Sequence, residues 1–179
     1  LVVMAKNDFS HQRLSLQFAD HSIRREYFAV CWGIIKPTNG KISSFISRSN
    51  KNRTKMMSSK IKGKEAITNY KTIENLKTSN GNTIASIIEC KLHTGRTHQI
   101  RVHMTDKGYP LIGDKTYGRS PKGKLKQLSD RAISAINELP GQALHAKSLG
   151  FIHPKTEKVQ LFQSVIPDYL SNLINSIKS

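Results

Sequence analysis

The feature that most constrains this chain is a pair of β-prone runs joined by an Asn-Gly turn. Residues 65–75, EAITNYKTIEN, and 84–94, IASIIECKLHT, flank TSNGNT at 78–83. Asn-Gly enters the positive-φ conformations of a tight hairpin turn, so the two runs are expected to pair as antiparallel strands. Arg25–Trp32, REYFAVCW, is aromatic and β-branched and reads as another strand. ALHAKSLGFIHP (143–154) and EKVQLFQS (157–164) form a second hairpin around Pro154-Lys155-Thr156. Leu1–Ala5 is apolar and reads as a strand, and KPTNGK (36–41) reads as a turn.

Helical signals are fewer. Phe9, Leu14 and Phe18 give a helical pattern over 9–18. Residues 95–108 change period and predict a short helix stopped by Gly108. A helix is expected within 125–139, ended by Pro140-Gly141. Residues 167–178 carry Tyr169, Leu170, Leu173, Ile174 and Ile177 on one stripe after Pro167, the pattern of a terminal amphipathic helix. There is no internal repeat. Strands predominate and helices fall irregularly, which predicts an α+β fold rather than a regular βαβ one.

Charge narrows the function. Across 179 residues, 29 Lys+Arg against 12 Asp+Glu leave a formal +17. Such a surplus points to a polyanion, most often nucleic acid. The length suits one domain, 1–179, with a real core. No run approaches the roughly 18 apolar residues of a spanning helix, so no membrane is expected as partner. Cys31 and Cys90 are too few for a disulfide scaffold or a thiolate metal site, and a reduced, cytoplasmic setting is the simplest reading. Residues 41–64 hold Lys41, Arg48, Lys51, Arg53, Lys55, Lys60, Lys62 and Lys64 with no acid. The middle of this run, 47–64, is expected to be a mobile basic loop. Lys51, Arg53 and Lys55 are its candidate phosphate contacts, which implies salt-sensitive RNA binding.

The most informative stretch is 94–105. A strand ends at Thr94, Gly95 permits a tight turn, and a helix is expected from near Thr97 with Arg96 at its start. A helix start offers unpaired N–H groups to an anion. His98, Arg101 and Thr105 are expected on one face, Ile100 and Met104 on another. Taken alone, this is better explained by a solvated face that merely carries two arginines, and it is the net charge that speaks for a site. A zinc site of His93, His98 and His103 is disfavoured, because five-residue steps turn about 140° around a helix.

These residues resemble a known family. LHTGRTHQIRVHM followed by GYPLIGDKTYG is similar to the signature of the RluA family of RNA pseudouridine synthases. LVVMAKND, REYFAV and ALHAKSLGFIHP match other family blocks in the expected order, from Leu1 to about Pro167. The resemblance is weaker over 47–64 and 119–140. It implies the pseudouridine synthase catalytic fold, a mixed, mainly antiparallel sheet flanked by helices. It also implies an isomerase that converts uridine in RNA to pseudouridine, most often in large-subunit (23S) ribosomal RNA. The family works with an Asp nucleophile and neither metal nor organic cofactor.

By the same resemblance Arg101 matches the arginine that pairs with the catalytic carboxylate. Tyr27 matches the tyrosine that stacks on the target base, and Leu144 an apolar wall of the uracil pocket. Arg96, His98 and Gln99 become candidate RNA or pocket contacts, and Asp114 and Tyr117 structural residues. The family Asp lies in an HRLD motif just upstream of the block matching LVVMAKND, and this chain has no such motif. Asp8 sits after the matching strand, Asp20, Asp106 and Asp114 lie in other blocks, and none is a candidate for nucleophile. The chain is therefore expected to be an N-terminally truncated part of a catalytic domain. It would be inactive alone, less stable than its parent, and prone to self-association through an exposed sheet edge. An upstream S4-like domain is compatible with this reading. Two other classes compete: a non-catalytic module that binds structured RNA on the same fold, and a DNA-binding domain, for which no recognition motif is present.

Overall fold

A computed structural model describes residues 1–118 and 121–179. The expected hairpin is its centre: β4 (Lys64–Lys77) pairs antiparallel with β5 (Thr83–Leu92) through the Asn80-Gly81 turn, where Gly81 has φ +80°. On its far side β5 pairs with β1 (Arg24–Trp32), and β1 with β6 (Leu144–Ile152), which turns back into β7 (Val159–Gln163). On the other flank β4 pairs with β2 (Asn39–Arg48), and β2 with β3 (Met56–Ser59). The seven strands run β3-β2-β4-β5-β1-β6-β7. Every pairing described is antiparallel, so the sheet is not mixed.

The helices are α1 (Asp8–Ala19), α2 (Gln99–Asp106), α3 (Lys122–Leu125), α4 (Asp130–Asn137) and α5 (Asp168–Lys178). Alternation along β1 assigns them to the sheet's faces. Phe28, Val30 and Trp32 enter a core shared with Ile136 of α4 and with Leu170, Leu173 and Ile177 of α5. Ala29 and Cys31 enter the opposite core, with Ile88, Cys90, Ile100 and Met104. Burying Ile100 and Met104 contributes about 2 kcal/mol each and holds α2 against the sheet. No helix among the described residues is long and apolar enough to cross a membrane.

Four expectations need correction. Leu1–Ala5 forms no strand; it has no ladder partner among the described residues, and Val2 and Met4 face solvent. Regular structure begins only at α1, whose N-cap Asn7 accepts from Ser10 N–H. The turn expected over 36–41 is shorter: β2 already starts at Asn39, and a side chain at Gly40 would strike the Tyr70 side chain. Residues 47–64 are not one loop, since β2 runs to Arg48 and β3 pairs back on it. The single helix expected over 125–139 is shorter, and Ser129 caps α4 by accepting from Ala132 N–H.

Candidate functional site

The site grows from the end of β5 and the turn into α2. The helix starts at Gln99, two residues later than the pattern suggested, because His98 is in the left-handed region at φ 58°, ψ 20°. His98 therefore does not share a helical face with Arg101. Its Nδ1 lies 2.8 Å from the Tyr117 hydroxyl, which also accepts the N–H of Met56 at 2.7 Å. Burial, reinforced by the Arg101 charge, pushes the His98 pKa down, so the ring favours the neutral form.

Gly95 also differs from its expected role. Its φ is outside the left-handed region, so no turn requires a glycine there. A Cβ at Gly95 would collide with Nη1 of Arg25: the glycine makes room for that guanidinium. The helix start is not an open row of donors either. Gln99 is buried, and its Oε1 accepts from Thr94 Oγ1 and from Arg96 N–H. Its Nε2 donates to Ile67 O and Thr68 Oγ1. Gln99 thus lines the cleft while its amide is fully committed to the scaffold.

Arg101 is the electrostatic centre. Its Nε and Nη2 each reach a carboxylate oxygen of Asp114 at 2.8 Å, and the guanidinium lies 4.8 Å from the centre of the Tyr117 ring. The two side chains are 11% and 0% exposed, so this is a buried fork rather than a surface ion pair. Burial pushes the Asp114 pKa up. The Arg101 hydrogen bonds and the N–H groups of Tyr117 and Thr116 outweigh that and hold it below the ordinary carboxylate value. The hydrogen bonds from Asp114 raise Arg101 in turn. Sequence reasoning gave Asp114 only a structural part and missed it as the in-chain partner of Arg101. The signal was GDKTYG, whose acid follows Arg101 by 13 residues.

Tyr27 on β1, Leu144 on β6 and Arg101 on α2 line one cleft of about 190 Å³, together with Arg96, His98 and Gln142. β1 pairs with both β5 and β6, and a bulge between Glu26 and Tyr27 resets the register toward β6. Gln142 was not anticipated; it lies in a loop with no periodic pattern. Arg96 also lines a neighbouring groove of about 500 Å³ with Arg48, Lys64 and Met56, so the basic hairpin and the cleft adjoin through it. Lys51, Arg53 and Lys55 lie in the β2–β3 turn, outside the cleft. His93, His98 and His103 are drawn to separate partners, Asn69, Tyr117 and the Ser44–Thr68 pair.

Known proteins are similar to this chain in sequence and fold. The family model described as RNA pseudouridylate synthase matches residues 1–106. Ribosomal large subunit pseudouridine synthase D of Zymomonas mobilis is 43% identical over 179 residues, which is 99% of this chain and 52% of that protein. The protein of the same name from Neisseria meningitidis serogroup A is 38% identical over 180 residues, 99% of this chain and 45% of that protein. The chain spans about half the length of the curated relatives it matches. Among solved structures, Human RNA Pseudouridylate Synthase Domain Containing 1 superposes with a TM-score of 0.70 at 23% identity, covering 94% of this chain and 64% of that one. At that identity the likeness speaks for the fold alone. The family match extends over more than half of the sequence, and the relatives align from end to end of it; the chain belongs to the RNA pseudouridylate synthase family.

Proposed function

We propose that this chain is the larger part of the catalytic domain of an RNA pseudouridine synthase that isomerises uridines in large-subunit ribosomal RNA. The observation that carries this is convergence. Tyr27, Arg101 and Leu144 come from three separate elements and line one cleft. The uridine leaves its stack to enter, and pocket contacts offset the unstacking energy. Tyr27 stacks on the base and Leu144 walls it. Arg101 uses two donors on Asp114 and turns its remaining edge toward an Asp carboxylate supplied by polypeptide outside these 179 residues. Beside that guanidinium the carboxylate stays ionised and oriented for attack on the nucleoside. Asp114 holds the guanidinium in place and is not the nucleophile. Arg96 and His98 contact RNA at the rim, while Gln99 acts through the scaffold.

The test compares the 179-residue chain with the longer gene product on uridine-labelled ribosomal RNA. Pseudouridine is expected from the longer protein only; turnover by the shorter chain overturns the external nucleophile. Arg101→Ala would also strand the buried Asp114 at a cost of about 3 kcal/mol, so Arg101→Lys is the informative variant. In the longer protein it is expected to lower turnover about 100-fold or more while RNA still binds. Neutralising Lys51, Arg53 and Lys55 together should weaken RNA binding and flatten its salt dependence, and an unchanged slope counts against the basic hairpin as a phosphate site.

One observation favours a second reading. The Arg101 fork is already filled by Asp114, so the pair is complete without an outside acid. A non-catalytic module for structured RNA would bind RNA, and prefer it to duplex DNA, without producing pseudouridine in the longer form.

A further inference from the structure

Arg25 is a cation held at a cost with no acid to offset it. Its Nε is buried and has no hydrogen-bond partner among the described residues. Its Nη2 donates only to the carbonyl of His93, at 3.3 Å. The guanidinium stacks over Phe18 of α1, 5.5 Å from the ring centre, and its other tip fills the space left by Gly95. No carboxylate pairs with it among the described residues. Burial lowers its pKa; the Tyr27 phenol offsets part of that, and the nearby Arg96 charge lowers it again. Arg96 is likewise without an acid among the described residues; its Nε donates to Glu65 O. Two guanidiniums thus repel each other, Arg25 packed against Gly95 and Arg96, next in sequence to that glycine, on the cleft wall. A glycine is spent to seat one of them, while other cations of this region, such as Lys91 and Lys147, have Glu partners.

We propose that Arg25 and Arg96 form a clamp for one backbone phosphate of single-stranded RNA, the linkage next to the nucleotide that enters the Tyr27 cleft. Two guanidiniums offer donors to phosphate oxygens, and a phosphate relieves their repulsion. The position fits: Arg96 lines the cleft, and Arg25 precedes Tyr27 by two residues on β1. Arg25 binds the RNA in this scheme and takes no part in the bond changes. The clamp rests on the reading that RNA is the ligand.

The experiment is filter binding of the 179-residue chain to a stem–loop RNA with a uridine in its loop, across a series of salt concentrations. Arg25→Gln and Arg96→Gln are each expected to flatten the slope of log Kd against log salt by about 0.7, the value for one single-strand phosphate. Arg25→Lys should keep the slope, and so should Arg131→Gln on α4, across the sheet. Replacing loop phosphates singly by uncharged methylphosphonates should find one linkage whose loss flattens the wild-type slope but does not flatten that of Arg25→Gln further. Arg25→Met, which keeps an apolar stem over Phe18, replaces Arg25→Gln should that variant not fold. Wild-type slopes in both the Arg25 and Arg96 variants, in chains that still melt cooperatively, overturn the clamp and leave the isomerase proposal standing. Flattened slopes, with no pseudouridine from the longer protein, uphold the clamp and overturn that proposal instead.

Discussion

His103 shows what a single residue does when both ring nitrogens are spoken for. It is fully buried; Nε2 lies 3.0 Å from Ser44 Oγ and Nδ1 2.9 Å from Thr68 Oγ1. Burial pushes its pKa down to about 4 from an ordinary 6.5. Between those values the unfolded chain binds a proton that the folded one refuses. Stability is full above about pH 6.5 and falls as pH drops toward 4, by on the order of 3 kcal/mol. Urea midpoints at pH 7 and pH 4.5 check this. His103→Gln should shrink the difference, and an unchanged difference would assign the loss to other groups. Nothing in the string of residues marks this histidine as buried. Gln99 and His103, four apart on α2, both meet Thr68 of β4, and it is that distant hydroxyl that ties their side chains to the sheet.

At the scale of elements, the β2–β3 hairpin depends on contacts remote in sequence. Tyr117 holds the Met56 N–H, and Ser58 hydrogen-bonds Asp106 of α2. Tyr117→Phe leaves the Met56 donor unmet and should cost about 1 kcal/mol. Hydrogen exchange is expected to quicken across residues 47–59 while β5 stays protected; uniform exchange would show that the hydroxyl does not hold the hairpin. This explains why the stretch read as loop. Its Ser, Asn and Lys content carries little β signal, and the partners that order it lie 48 and 61 residues away. The β4–β5 hairpin and α5 were legible for the opposite reason. An Asn-Gly turn or a helical stripe is local, and Leu170, Leu173 and Ile177 are buried as that stripe requires.

For the whole molecule, the sheet ends in two open edges, β3 and β7. β7 exposes Val159 (72%), Leu161 (58%) and Phe162 (48%) along a strand paired on one side only. Unpaired N–H and C=O groups beside apolar side chains are a template for association. Sedimentation of the 179-residue chain is therefore expected to show a concentration-dependent dimer, and Leu161→Lys to return it to monomer. A wild-type chain that stays monomeric as concentration rises would count against that edge.

Sequence alone determined the α+β class, the β4–β5 and β6–β7 hairpins, the terminal helix, the basic surface and the family motif around Arg101. These rest on periods, turn chemistry and net charge, which act between neighbours or over the whole composition. Only the tertiary structure decided that Asp114 fills the Arg101 fork, that Gly95 makes room for Arg25, that the Gln99 amide is tied to β4 and that Leu1–Ala5 lacks a ladder. Each of these depends on which strand lies beside which, and pairing between distant segments is set by packing the complete sheet, not by any local pattern.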